Sequence, residues 1–261
     1  MMKRRDLLSA AASGLALALH APARAAPPAQ DILAACDEVR NPPKPFGVVV
    51  TLLEYRSGKQ TDANTLSVYS KAERAGGQYA SLLRFIEPAR DANKLMLKNG
   101  NDLWFFDPAS KASIRLSPQQ RLLGQAANGD VVTVNLARDY KAELDAEEDL
   151  ADGERAQRHA YKLKLAAASP DVTYDHIEMW IDTTSSRPIK SRFFAESGRL
   201  LKTAYYRKFS PQLGRERPTE VVIIDGLDPA WVTVMRYSDF VYRDIPDAWL
   251  QRDYLPRFKP E

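Results

Sequence analysis

The side chains of this 261-residue chain best suited to chemistry are His159, His176, Cys36 and the carboxylate run Glu147-Glu148-Asp149. None of them falls into a working pattern. A metal centre needs His, Cys or carboxylate ligands at a recognisable interval, such as His-Glu-x-x-His or paired Cys-x-x-Cys, and neither occurs. Covalent catalysis would want a Gly-x-Ser-x-Gly elbow or a cysteine with a histidine close by in sequence, and Cys36 has none. His159 and His176 each open a strand-like segment beside Arg158 or Asp175, where solvated strand-end residues belong. The run Glu147-Glu148-Asp149, with Asp145, reads as a charged, solvated loop. Phosphate-cradling glycine loops are missing as well. The expectation is a protein that is not an enzyme and needs neither metal nor cofactor.

The beginning of the chain says more. Lys3-Arg4-Arg5 precedes a short apolar run from Leu7 to Leu19, and Ala23-Arg24-Ala25 supplies a small-x-small cleavage site. Residues 1–25 therefore read as a signal peptide, of the Sec or the twin-arginine type, directing the chain to the periplasm. The run is too short for a bilayer crossing, which takes roughly 20 apolar residues. Removing this leader takes four basic residues, Lys3, Arg4, Arg5 and Arg24, against Asp6 alone. The remainder of the 37 basic and 34 acidic residues then balances. The net charge of +3 is thus no footprint of a nucleic-acid partner.

Leu33-Ala34-Ala35-Cys36 has the look of a lipid-attachment motif, but polar residues and prolines separate it from the apolar run. Ile32, Leu33, Cys36 and Val39 instead fall at helical spacing, which predicts an amphipathic helix over 30–40 with Cys36 on its buried face, stopped by Asn41-Pro42-Pro43. With one cysteine the chain forms no internal disulfide and must hold by burial and strand pairing.

Beyond the helix, eleven or twelve β-type segments run from 46–56 to 233–240. Ser57-Gly58, Asn99-Gly100, Ser197-Gly198 and Asp225-Gly226 are hairpin signals, so the strands form an antiparallel meander. Residues 26–261 are expected to make one domain, mainly β with a few helices. Residues 117–150 break the rhythm and read as a helical insertion, with Asp130 capping a helix through Val131, Val134, Leu136 and Tyr140. Such a piece is a fixed plug or a movable lid. Val48 to Leu53 and Leu103 to Phe106 are apolar at every position, so both faces of the sheet must be covered.

Three stretches carry a resemblance. Arg84-Phe85-Ile86-Glu87-Pro88-Ala89-Arg90-Asp91, Leu103-Trp104-Phe105-Phe106-Asp107-Pro108, and Arg115 through Gln125 with Asn128-Gly129-Asp130 resemble the LolA-like outer-membrane lipoprotein-sorting proteins. Tyr174 through Trp180, Pro188 and Ser197 to Thr203 extend the likeness over most of residues 26–261. The resemblance implies a strongly curved antiparallel half-barrel closed by helices, with a cavity for acyl chains of lipoproteins or other lipids. Strand alternation then nominates Val50, Leu52, Leu83, Phe85, Leu103, Phe105, Leu163, Met179 and Phe193 as its lining; a one-residue slip would reverse every one of them. The partners expected are lipid or lipoprotein acyl chains, an inner-membrane exporter and an outer-membrane acceptor, met by a monomer. The competing reading is an interaction module that docks on an envelope export complex through Arg84, Arg90, Arg115 and Arg121 and carries no lipid.

Overall fold

A computed structural model describes residues 26–73 and 77–259. The expected leader, residues 1–25, lies outside the described residues. Helix α1 (Ala29–Arg40) buries Ile32, Leu33, Cys36 and Val39, as their spacing predicts, and ends at Asn41. Six strands follow: β1 (Phe46–Arg56), β2 (Lys59–Ala72), β3 (Tyr79–Glu87), β4 (Leu95–Asn99), β5 (Asp102–Asp107) and β6 (Ala112–Arg115). A small hairpin, β7 (Arg121–Leu123) and β8 (Ala126–Ala127), and one helical turn, α2 (Leu136–Asp139), come next. The second series is β9 (Tyr140–Ala151), β10 (Gln157–Ala167), β11 (His176–Asp182), β12 (Pro188–Phe194), β13 (Leu200–Gln212), β14 (Arg215–Asp225) and β15 (Trp231–Tyr242).

All but β7 and β8 join one antiparallel sheet of 13 strands, ordered β6-β5-β4-β3-β2-β1-β15-β14-β13-β12-β11-β10-β9. The first meander walks outward from β1 to one edge, and the second starts at the other edge and walks back until β15 pairs with β1. Residues 117–139 must therefore travel from edge to edge. They do so across one face of the sheet, and that face is concave. Asn101, in the β4–β5 turn, donates from Nδ2 to Asp171 Oδ2 in the β10–β11 connection at 3.2 Å. The nearest strands of those two turns, β4 and β11, are eight strand spacings apart in the sheet order, about 38 Å if the sheet were flat. The accumulated twist curls the two halves toward each other, yet the edges β6 and β9 do not pair.

Alternation sorts the side chains into two cores. Val48, Val50, Leu52, Leu83, Leu103, Met179 and Met235 share the inner one with Ile32, Leu33 and Cys36 of α1. On the outer face of β3 to β5, Leu82, Leu95, Leu97 and Phe106 pack under Trp249, Leu250 and Leu255 of the C-terminal 3-10 turns. That explains why Leu103-Trp104-Phe105-Phe106 can be apolar throughout: neighbouring residues serve different cores.

Three expectations are corrected. Residues 117–150 are not a helical insertion, since only Leu136–Asp139 is α-helical and Tyr140–Ala151 is a twelve-residue strand. Ala142, Leu144 and Ala146 alternate with Lys141, Glu143 and Asp145 there, but the charges hide the period of two. Glu147-Glu148-Asp149 accordingly sits on edge strand β9 rather than in a loop, and Glu148 accepts the Trp180 indole N–H. The concave face, too, is spanned by α1 and a mostly irregular segment in place of a set of helices.

Candidate functional site

Where residues 117–139 cross the concave face they leave a cavity of about 140 Å³. Its walls come from Val48 and Val50 on β1, Ala204 and Tyr206 on β13, Ile223 on β14, and Met235 and Tyr237 on β15. Asp130 to Val134 form the roof, and Arg40 and Asn41 close the end nearest α1.

Of the nine nominated residues, Val50 and Phe193 line this space. Leu52, Leu83, Phe85, Leu103, Leu163 and Met179 are buried in the same inner core but away from its walls, and Phe105 packs half-buried against that core. Alternation gives the face a residue occupies; where on that face a void opens depends on the roof.

The unforeseen part of the site is polar. Lys202, only 3% exposed, points inward from β13, forms an ion pair with Asp130 and donates to Gln125 O at 3.0 Å. Asp130 also accepts the Tyr174 hydroxyl at 2.7 Å and the Ala127 N–H at 2.7 Å. Tyr140 completes the group, donating its hydroxyl to Tyr174 O at 3.1 Å. Burial pushes the Lys202 ammonium below its ordinary pKa, against the pull of Asp130. It raises the phenols of Tyr174 and Tyr140 well above theirs. One sequence signal was available: Lys202 shares its alternation with Ala204 and Tyr206, so a lysine occupies a core-facing position.

Further polar contacts tie the roof down. Thr133 meets Ser70 at 2.7 Å, and Gln78 donates to Asn135 O at 3.2 Å and to Asp139 at 2.7 Å. Asn41 donates to Val134 O at 2.8 Å. Asp37 accepts the Ala137 N–H on one oxygen and Arg40 Nη1 on the other, both at 2.8 Å. Burial raises the Asp37 carboxyl pKa against the lowering effect of Arg40.

The four arginines considered for docking are engaged at the surface. Arg84 donates to Asn93, Arg90 pairs with Asp62 and Asp91, and Arg115 pairs with Asp102 at 2.7 Å. Arg121 stacks on Trp231, whose ring also carries Arg56. His159 sits between Asp149 and Glu147, and His176 stacks on Phe194. Among the described residues there is no cluster of three potential metal ligands, and no helix is long and apolar enough to cross a membrane.

A curled, open antiparallel sheet with a roofed cavity on its concave face defines a fold of the lipoprotein-sorting type. The chain belongs to the LolA superfamily. It is 37% identical to a LolA superfamily protein of Nitrosomonas europaea over 88% of this chain and all of that one, with a TM-score of 0.78. The same fold, at lower identity, occurs in a DUF1329 family protein of Desulfovibrio piger (20% identical, 87% of this chain and 97% of that one, TM-score 0.73). It recurs in a Vibrio parahaemolyticus domain named for outer membrane lipoprotein sorting (16%, 88% and 98%, TM-score 0.71). A family model described only as "-like: Uncharacterized protein" matches residues 77–257. The curated proteins contain no match.

Proposed function

We propose that this protein is a periplasmic carrier that shields acyl chains of lipoproteins or of other lipids between the two membranes of the envelope. In this reading residues 1–25 export the chain and residues 26–261 form the carrying domain, loaded by an inner-membrane exporter and emptied by an outer-membrane acceptor. The observation that carries it is the cavity between the concave sheet face and the 117–139 roof. The need is physical: at about 0.8 kcal/mol per CH₂, a 16-carbon chain is disfavoured in water by on the order of 12 kcal/mol. No catalytic group is required.

The cavity's size implies how loading works. An engineered cavity of about 150 Å³ holds one benzene ring, so 140 Å³ takes only part of an acyl chain while the roof is down. Loading then requires the roof to lift. Its neutral hydrogen bonds, at about 1 kcal/mol net each, exchange readily for buried hydrocarbon, and the Lys202–Asp130 ion pair is the strongest tie that lifting must release.

Native mass spectrometry of protein purified gently from periplasm, followed by lipid extraction, tests the proposal. A stoichiometric lipid or acylated peptide is expected. A clean unliganded mass, together with no uptake of a fluorescent acyl probe, would sink it and favour the docking module.

A further inference from the structure

The carrier reading leaves the polar end of the cargo unspecified, and this inference rests on that reading. The geometry points to an anionic head group seated on Arg40. Arg40 closes one end of the cavity, and its guanidinium makes one hydrogen bond among the described residues, from Nη1 to Asp37 Oδ1 at 2.8 Å. The other Asp37 oxygen is taken by the Ala137 N–H at 2.8 Å. Asp37 thus positions the guanidinium by one corner and leaves the rest of a planar, permanently charged fork uncommitted. Such a fork matches a carboxylate or phosphate in bidentate fashion.

The other charged groups on the cavity wall are already in use. Lys202 is spent on Asp130 and Gln125, and Asp139 accepts from Gln78 at the far side, toward Lys98. Arg40 is close enough to Tyr206 and Tyr237, which line the same cavity, to couple electrostatically with both phenols. Tyr206 makes one long contact to Ser191 at 3.3 Å, and Tyr237 lines the same cavity. Two phenols and the free part of the fork thus line one cavity, to which Val48, Val50 and Ile223 contribute hydrocarbon. The ligand class is an acyl amphipath with a negatively charged head, carried free as a fatty acid or as the acidic head of a phospholipid.

The test compares two probes on the purified protein: cis-parinaric acid and its uncharged methyl ester, titrated by fluorescence at pH 8. The acid should bind roughly tenfold tighter or more, the worth of one charge-assisted contact. The ratio should fall to about one in Arg40→Met. In Arg40→Lys, which keeps the charge and loses the fork, it should be intermediate. Oleate against dioleoylphosphatidate as competitors separates the two sources of the anion, and displacement by either supports the assignment. Equal binding of acid and ester by the unmodified protein overturns it and leaves the carrier reading standing, whereas binding of neither probe removes the carrier reading itself. The unmodified-protein comparison decides the matter even if the Arg40 variants do not fold.

Discussion

Lys202 on β13 and Asp130 in the roof, 72 residues apart in sequence, form an ion pair almost wholly withdrawn from water. Their environments are unequal. Without Asp130, Lys202 keeps one hydrogen-bond acceptor, Gln125 O, and the faces of Tyr174 and Phe193; without Lys202, Asp130 still has the Tyr174 hydroxyl and the Ala127 N–H. Breaking a buried pair by removing one partner costs about 3–5 kcal/mol. Asp130→Ala should therefore lie near the top of that range and Lys202→Met below it. Urea unfolding of both single variants and the double variant should give a coupling of about 2 kcal/mol; a coupling near zero would mean the pair does not hold the roof.

The buried phenols set the alkaline limit. Burial raises the pKa of Tyr140, Tyr174 and Tyr237 above the value of about 10 that they have unfolded. Above pH 10 the unfolded chain releases protons that the folded one retains, so stability is full below pH 10 and falls as pH rises further. Lys98, Lys190 and Lys202, whose pKa values burial lowers, work in the opposite direction, but they are three groups against five once the raised phenols of Tyr79 and Tyr206 are included. Absorbance at 295 nm should show these tyrosines ionising only as the protein unfolds. Smooth ionisation of all 11 tyrosines near pH 10 without unfolding would contradict this.

Gly129 is where the roof meets the β10–β11 connection, and a Cβ there would overlap the Thr173 side chain. Gly129→Ala should cost about 1–3 kcal/mol, the usual penalty of overpacking. Adding Thr173→Gly removes the obstacle and should restore most of the loss in a thermal melt.

Arg217, 1% exposed, caps the C-terminal end of α1, donating to Glu38 O at 3.1 Å and Val39 O at 2.7 Å, with Nε on Gln212 O at 3.1 Å. Arg217→Met orphans three carbonyls and should cost about 3 kcal/mol in urea unfolding. Arg217→Lys should recover little, because a single ammonium does not span the three acceptors.

Ala204 lies on the cavity wall and is 2% exposed. Ala204→Phe should fill the space and abolish uptake of a fluorescent acyl probe, with stability lowered by no more than about 3 kcal/mol, the upper end for overpacking. Undiminished uptake at normal stability would place the bound chain elsewhere.

Local pattern decided a good deal of this protein. Residue spacing places α1 correctly, β1 spans the same Phe46–Arg56 as its apolar run, and the motif stretches around Arg84, Leu103 and Arg115 carry the family likeness. Alternation also puts all nine nominated residues in or against the inner core. These properties depend on neighbours a few residues away, so the sequence displays them directly. The curl of the sheet, which brings Asn101 to Asp171, is a sum of small twists over eight spacings, and no single strand records it. The path of 117–139 follows from β6 and β9 being opposite edges, a fact of pairing order. The enclosure of Lys202, Asp130, Tyr174 and Arg40 around one cavity arises only when strands distant in sequence converge, which is why tertiary structure alone reveals it.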